Sequence, residues 1–484
     1  MDVVELTQEA ALLEEAMAYY HALLANSRQL TEESARLLIE GMPGRKLTFG
    51  GRPLCNVLRP HLLTRAQFDY VKQVCAAVTQ AIAKLGEVMT GPDKAEANRL
   101  LDEVGLTDEE RRLFEFDTGY KAFSAHSRLD SFLSIGEESS TMHFVEYNAE
   151  SPAGAAYEDG LSELFMTLPV MQEFAKRFPI SHVDVKGKLL DMLLNNYREY
   201  LGTRPYKTPN IAIVDWHGVV TYTEFELLQE YFLQHDVPTV ICDPRELTYS
   251  GGRLRYKDFE IDILFKRVLG NELIQKADEC RPIFQAYEAG TVCMINSFRC
   301  KIYHKKMIFG LLTDERNQQY FTSEEQANIA LHIPWTRRVR NGETTYKGET
   351  IDLESFVMEN RDRLVLKPND EYGGKGITIG WESDHACWKQ AYEAALTEPF
   401  VVQEKVIVAK EAYPVLDNGL VIFAQRLVDC DPYIFEGEVA GLLTRLSAVA
   451  LLNVTAGTGS TVPTFIIEGP SQGEVRRADP EGCV

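Results

Sequence analysis

Residues 141–154 read TMHFVEYNAESPAG. Phe144, Val145 and Tyr147 favour a strand, whereas Glu146 and Asn148 do not. Side chains alternate faces along a strand, so Glu146 and Asn148 share one face. Two readings follow: a strand with one solvated face, or a pair of oxygen ligands built into a sheet. The flanking aromatics weigh against free solvation of that face. Upstream, HSRLDSFL sets Arg128 and Asp130 two apart, hence also on one face if the segment is extended. Asp130, Glu146 and Asn148 together would be hard oxygen donors of the kind Mg2+ accepts, with phosphates and water completing an octahedron. The plainer alternative is an exposed sheet face carrying a surface salt bridge.

The chain has 484 residues, a length that suggests two to four domains. Its 45% hydrophobic and 25% charged content is an ordinary globular balance. A formal net charge of -22 lacks the basic footprint that nonspecific nucleic-acid binding needs. It leaves room for a nucleotide, whose phosphates a few local cations can hold. No apolar run reaches the roughly 18 residues of a membrane span. The start, MDVVELTQEA, has no basic segment of the secretory kind. Nine scattered cysteines without a C-x-x-C pair read as reduced, buried thiols, and the expected compartment is the cytoplasm.

Residues 1–115 read as an N-terminal helical region. QEAALLEEAMAYYHALLA and RAQFDYVKQVCAAVTQAIAKLG carry apolar residues at helical spacing, and Thr107 reads as an N-cap. No chemistry is apparent there, and a helical scaffold is the expectation. Residues 116–205 open with β texture and a turn in SIGEESS, then become helical. Residues 206–300 hold a βαβ unit (NIAIVDW, TYTEFELLQEYFLQHD, PTVICD), a hairpin at Gly251 and Gly252, and a further strand in IDILFKRV, which implies a parallel α/β layer. Residues 301–484 alternate helix and strand, as an antiparallel sheet with helices would. The tail from Glu468 onward is polar and reads as loose.

Three further stretches carry chemistry. VLKPNDEYGGKGITIGW sets Lys367 at a strand end and Gly373, Gly374, Lys375 and Gly376 at the turn. Glycines let backbone amides approach phosphate and lysines add charge. No Ser or Thr follows Lys375 and no helix follows the loop, so this is not a P-loop; a plain glycine hairpin is the alternative. FVVQEKV ends an apolar strand in Gln403, Glu404 and Lys405, which by itself is a strand reaching solvent. In FEGEVAGLLTRLSAV, Arg445 sits in apolar surroundings and needs a partner, structural or catalytic.

Taken together these stretches resemble the ATP-grasp enzymes, and more closely the circularly permuted ATP-grasp proteins of the glutathionylspermidine synthetase type. The likeness rests on RLD (128–130), EYNAESP (146–152), KKMIFGLL (305–312), VLKPNDEYGGKGI (365–377), VVQEKV (401–406) and DPYIFEGEVAGLLTRLS (431–447). It implies an α/β (α+β) fold: a permuted ATP-grasp, with an additional Rossmann-like α/β layer over 206–300 and the helical region over 1–115. It implies ATP and Mg2+ as cofactors. Lys306 and Lys367 would contact phosphates, with Lys305 as a competitor, and Gly373, Gly374 and Lys375 would cover them. Gln403, Glu404 and Val406 would line the adenine hinge. Asp130, Glu146 and Asn148 would hold Mg2+, with Glu438 and Asn453 as rival ligands. Arg445 would face the transferred phosphoryl group, and Arg128 and Ser151 the carboxylate substrate. Nothing over 1–115 resembles the family's amidase domain, and no residue set singles out glutathione.

The resemblance implies an ATP-dependent carboxylate–amine ligase, forming an amide or peptide bond through an acyl phosphate with release of ADP and phosphate. The alternatives are a phosphotransferase on the same fold and a catalytically silent nucleotide-binding partner protein. The partners expected are small-molecule or peptide carboxylates and amines, with neither nucleic acid nor membrane. Such folds often associate, so a homo-oligomer is a further expectation.

Overall fold

A computed structural model describes residues 3–135, 140–417, 420–449 and 459–468. Most of the turn expected in SIGEESS, the tail after Glu468, and Asn453 lie outside the described residues. No described helix is long and apolar enough to cross a membrane.

The site-bearing sheet is antiparallel. Its strands run in the order Gly459–Val462, Glu438–Ser447, Leu420–Phe435, His126–Ile135, Ser140–Asn148, and Lys410–Asp417 pairs with the first half of Leu420–Phe435. Asp130 faces Glu146 and Arg128 faces Asn148 across the central pair. Period-two alternation sends Leu129 and Tyr147 to the other side, and a β-bulge at Val145 shifts the phase so that Met142 and Phe144 join them in one core with Phe68, Val71, Val78, Ile82 and Leu85 of the long helix Arg65–Thr90. Each fully buried Leu or Phe contributes roughly 1.5–3 kcal/mol, so a one-residue register slip that exposed this row would be strongly opposed. Burial of the back face therefore fixes which side chains point forward.

A second sheet is parallel. Its order is Cys293–Ile295, Ile263–Lys266, Ile211–Val214, Thr239–Cys242, and the helix Tyr222–Gln234 links the last two. The hairpin Leu247–Ser250/Arg253–Tyr256 turns at Gly251 and Gly252, both at positive φ. A third, antiparallel sheet orders Thr336–Arg338, Phe400–Glu404, Leu364–Pro368 and Thr378–Ile379. It carries Lys367 and Gln403.

Two expectations need correction. The N-terminal region is helical over Val3–Asn26, Arg28–Gly44, Arg65–Thr90, Lys94–Val104 and Asp108–Phe114, and Thr107 caps the last in a box with Glu110. It also contributes the fully buried strand His61–Thr64, which pairs in parallel with Thr464–Ile467 from the far end of the sequence. The strand expected over KGITIGW shrinks to Thr378–Ile379, because the chain turns at once into the 3-10 segment Gly380–Glu382. A Cβ on Gly380 would lie 2.0 Å from the Arg361 carbonyl, so this approach requires glycine.

Candidate active site

The three sheets meet at a cavity of about 1170 Å³. Of the residues singled out from sequence, Arg128, Asp130, Glu146, Asn148, Ser151, Lys367, Gly373, Gly374, Gln403, Glu404, Val406 and Arg445 line it. Lys306 stands at its edge, where its ammonium lies 3.0 Å from Glu146 Oε1 and donates to the Glu371 carbonyl at 2.5 Å. Lys305 turns away, to Glu110 and Asp370, each at 3.0 Å. Between the two lysines, Lys306 is the one placed beside Glu146. Lys375 is exposed and reaches Glu371 at 3.3 Å.

The carboxylate face is held by an ion network. Arg128 Nε donates to Asp130 Oδ1 at 2.8 Å and its Nη2 to Oδ2 at 3.1 Å. Asn148 Nδ2 donates to Asp130 Oδ1 at 2.9 Å, and Arg445 Nη2 to Oδ2 at 2.9 Å. Both oxygens of Asp130 are thus engaged. Burial alone would raise its carboxyl, but Arg128 and Arg445 outweigh that and hold it well below the usual range. Asn148, having spent its amide on Asp130, keeps Oδ1 as an acceptor.

Arg445 lines the cavity on the strand Glu438–Ser447. Its guanidinium, expected against a transferring phosphoryl group, is enclosed by three carboxylates: Asp130, Asp429 at 2.6 Å and Asp431 at 2.8 Å. Burial pushes Asp429 up to about 6 against the pull of Arg445. Asp431, wholly buried, is pushed well above the carboxylate range despite Arg445. Sequence reading missed both aspartates, although a signal was there: in LVDCDPYIF they alternate with apolar residues at period two, the pattern that singled out Glu146 and Asn148. Glu438, a rival ligand, sits seven residues from Arg445 along one strand, roughly 20 Å away at the rise of a strand. It is too far to share an ion with Asp130.

On the strand Leu364–Pro368, Lys367 Nζ donates to Gln403 Oε1 at 2.6 Å and to the Val145 carbonyl at 3.1 Å. Burial pushes this ammonium down to about 8, against the pull of Glu146. Gln403 is further fixed by Thr336 Oγ1 at 3.0 Å, and Glu404 by Tyr346 at 2.6 Å. Ser151 donates to the Arg267 carbonyl at 2.5 Å, so its hydroxyl is presently spent on the parallel sheet. Gly373, Gly374 and Gly376 all take positive φ, which an ordinary residue resists.

The root of this loop is tied down by a buried network that sequence reading did not find. Glu150 accepts from Lys266 at 2.8 Å and from Lys301 at 3.0 Å, and Lys301 reaches Asp370 at 2.6 Å. Glu150, Lys266 and Lys301 are all buried. The network joins the 146–152 segment, the parallel sheet and the loop root. Among the described residues, no group of three or more His, Cys, Asp or Glu is arranged to hold a metal by itself. An ion here would need Asn148 and ligand oxygens as well.

Neither a family model nor a curated protein matches the sequence. Among solved structures, the chain is similar to a glutathione synthetase-like effector (GSS30) from Globodera pallida in its apo form, with a TM-score of 0.56 and 12% identity over 91% of this chain and 98% of that one. A candidate gamma-glutamylcysteine synthetase from Methylobacillus flagellatus KT reaches a TM-score of 0.41 at 11% identity, over 84% of this chain and 89% of that one. D-alanyl-alanine synthetase A from Vibrio cholerae reaches 0.24 at 12% identity, over 46% and 68%. These last two superpositions are too loose to bear on the fold. At such identity the first likeness speaks for architecture alone. The chain is a mixed α/β protein that shares its overall fold with the glutathione synthetase-like effector.

Proposed function

We propose that this chain is an ATP-dependent carboxylate–amine ligase acting through an acyl phosphate on a permuted ATP-grasp scaffold. One observation carries the reading: Lys367 and the Glu146 strand, 222 residues apart at Lys367 and Val145, meet in one cavity with a glycine-rich loop at its edge. That the carboxylate strand precedes the loop in sequence is the order a permuted chain would have.

The donor set fits Mg2+, since Glu146 and Asn148 offer only hard oxygens and nucleotide phosphates would complete the shell. Glu146 and Asn148 would hold the ion, with Asp130 orienting Asn148 through its amide. Bound there, Mg2+ supplies charge neutralisation at the phosphates. Lys306 and Lys367 would exchange their present carbonyl and side-chain partners for phosphate oxygens. Gln403, Glu404 and Val406 would line the adenine end, and Gly373, Gly374 and Lys375 would close over the phosphates. Arg445, held by Asp429 and Asp431, would act through Asp130 rather than by touching the phosphoryl group. Arg128 and Ser151 would stand beside the carboxylate.

In the first step a carboxylate oxygen bonds to the γ-phosphorus, the bridging bond to ADP breaks, and ADP leaves. An amine then attacks the acyl carbon, the acyl–oxygen bond breaks, and phosphate leaves with the amine proton passed to solvent. The protein's part is alignment, charge compensation and exclusion of water from the acyl phosphate. The substrates would be a small-molecule or peptide carboxylate and an amine.

The test is an ADP-release screen of carboxylates paired with amines, followed by product mass. The expected product is acid plus amine less water. A product that has gained a phosphate, with no amide, would make the chain a phosphotransferase instead.

A further inference from the structure

Resting on that ATP reading, we infer that Trp381 is the stacking platform for the nucleotide base, and that it sets the preference for a purine. Trp381 lies in the 3-10 segment Gly380–Glu382. That segment is pinned to the edge of the third sheet, since Gly380 abuts the carbonyls of Arg361 and Leu364. Lys405 is anchored beside it: its amide donates to the Arg363 carbonyl at 2.8 Å, and its ammonium lies 4.0 Å from the centre of the Trp381 ring. The indole is therefore held at both its backbone and its face.

The ring is half-buried, and it lines the cavity with Val365, Ile377, Ile379 and Val406. Val365 stands two residues before Lys367 on one strand, hence on the same face, so this apolar wall adjoins the lysine and, through the bond of Lys367 to the Val145 carbonyl, the strand of Glu146. A base placed there leaves its phosphates toward Lys367 and Glu146. The Val406 amide has no hydrogen-bond partner among the described residues, so an acceptor nitrogen on the base edge can take it. An indole flanked by a cation offers a bicyclic base more overlap than a pyrimidine. An ordinary core tryptophan would instead be closed off, as Trp388 is in the same sheet's core.

Base–aromatic stacking lost by truncation costs on the order of tenfold or more in affinity. Calorimetric binding of Mg·ATP, Mg·CTP and inorganic tripolyphosphate to the full chain, wild type against Trp381→Ala and Trp381→Phe, tests the assignment. Trp381→Ala should weaken ATP about tenfold or more, leave tripolyphosphate unchanged and narrow the ATP-over-CTP preference, and Trp381→Phe should fall between. Unchanged ATP affinity in Trp381→Ala, or equal loss for ATP and tripolyphosphate, would overturn it. A wild-type chain that binds neither ATP nor tripolyphosphate would sink the phosphate site itself, a failure distinct from loss of the base platform alone.

Discussion

At Lys367 two requirements oppose each other. The side chain is buried against Gln403 and the Val145 carbonyl, which disfavours its charge, yet a phosphate site needs that charge. The result is an ammonium at about 8. An anion bound beside it favours the protonated form and raises its pKa, so binding takes up a proton above that pH. Affinity for Mg·ATP should be flat below pH 7 and fall as pH rises through about 8, by up to about tenfold per unit. Calorimetry across pH 6.5–9.5 (about the range in which a Lys at this value titrates) reads this directly. In Lys367→Met the decline should vanish, and a decline that persists there would assign it to another group. Residue types at this scale were legible in sequence: a lysine at a strand end, and acid and amide two apart. Their partners were not. Nothing in RLD announces that Asp130, beyond pairing with Arg128, also accepts from Asn148 and Arg445, because those two bonds depend on which strands become neighbours.

At the scale of elements, alternation was the legible feature. It set Glu146 with Asn148 and Arg128 with Asp130, and the pairing of the two strands keeps all four on the cavity side. The same rule would have found Asp429 and Asp431. Glycine spacing marked the loop, but the length of the strand after it depended on the tight approach of Gly380 to Arg361, which has no signature in sequence. The Glu150–Lys266–Lys301–Asp370 network was illegible for a similar reason, since each ion pair joins a different element. Its burial gives it a large effect on stability. Lys266→Met leaves a buried carboxylate short of one cation and should cost about 3–5 kcal/mol in denaturant unfolding. Lys375→Met, at an exposed ion pair, should cost within about 0.5 kcal/mol. A Lys266→Met loss below about 1 kcal/mol would show that Lys301 alone satisfies Glu150.

For the whole molecule, the central fact is convergence. The back face of the site sheet is buried on a helix from the N-terminal region, and His61–Thr64 pairs with Thr464–Ile467, so the two ends of the sequence brace the sheet that carries Asp130 and Glu146. The N-terminal region packs against the site sheet, and it supplies a strand that helical periodicity hid. The order of motifs pointed to a fold class. How far the chain must travel to bring Glu146 beside Lys306 and Lys367 follows only from the sheets' relative placement. The claim that these residues form one metal–nucleotide site is tested most directly by calorimetric titration of wild type, Glu146→Gln and Lys367→Met with a nonhydrolysable ATP analogue, with and without Mg2+. The account predicts Mg2+-dependent binding by the wild type. Glu146→Gln should lose the Mg2+ dependence, and Lys367→Met should lose about tenfold or more in affinity with and without the metal. Equal affinity in all three proteins, or binding that ignores Mg2+ in the wild type, would contradict it.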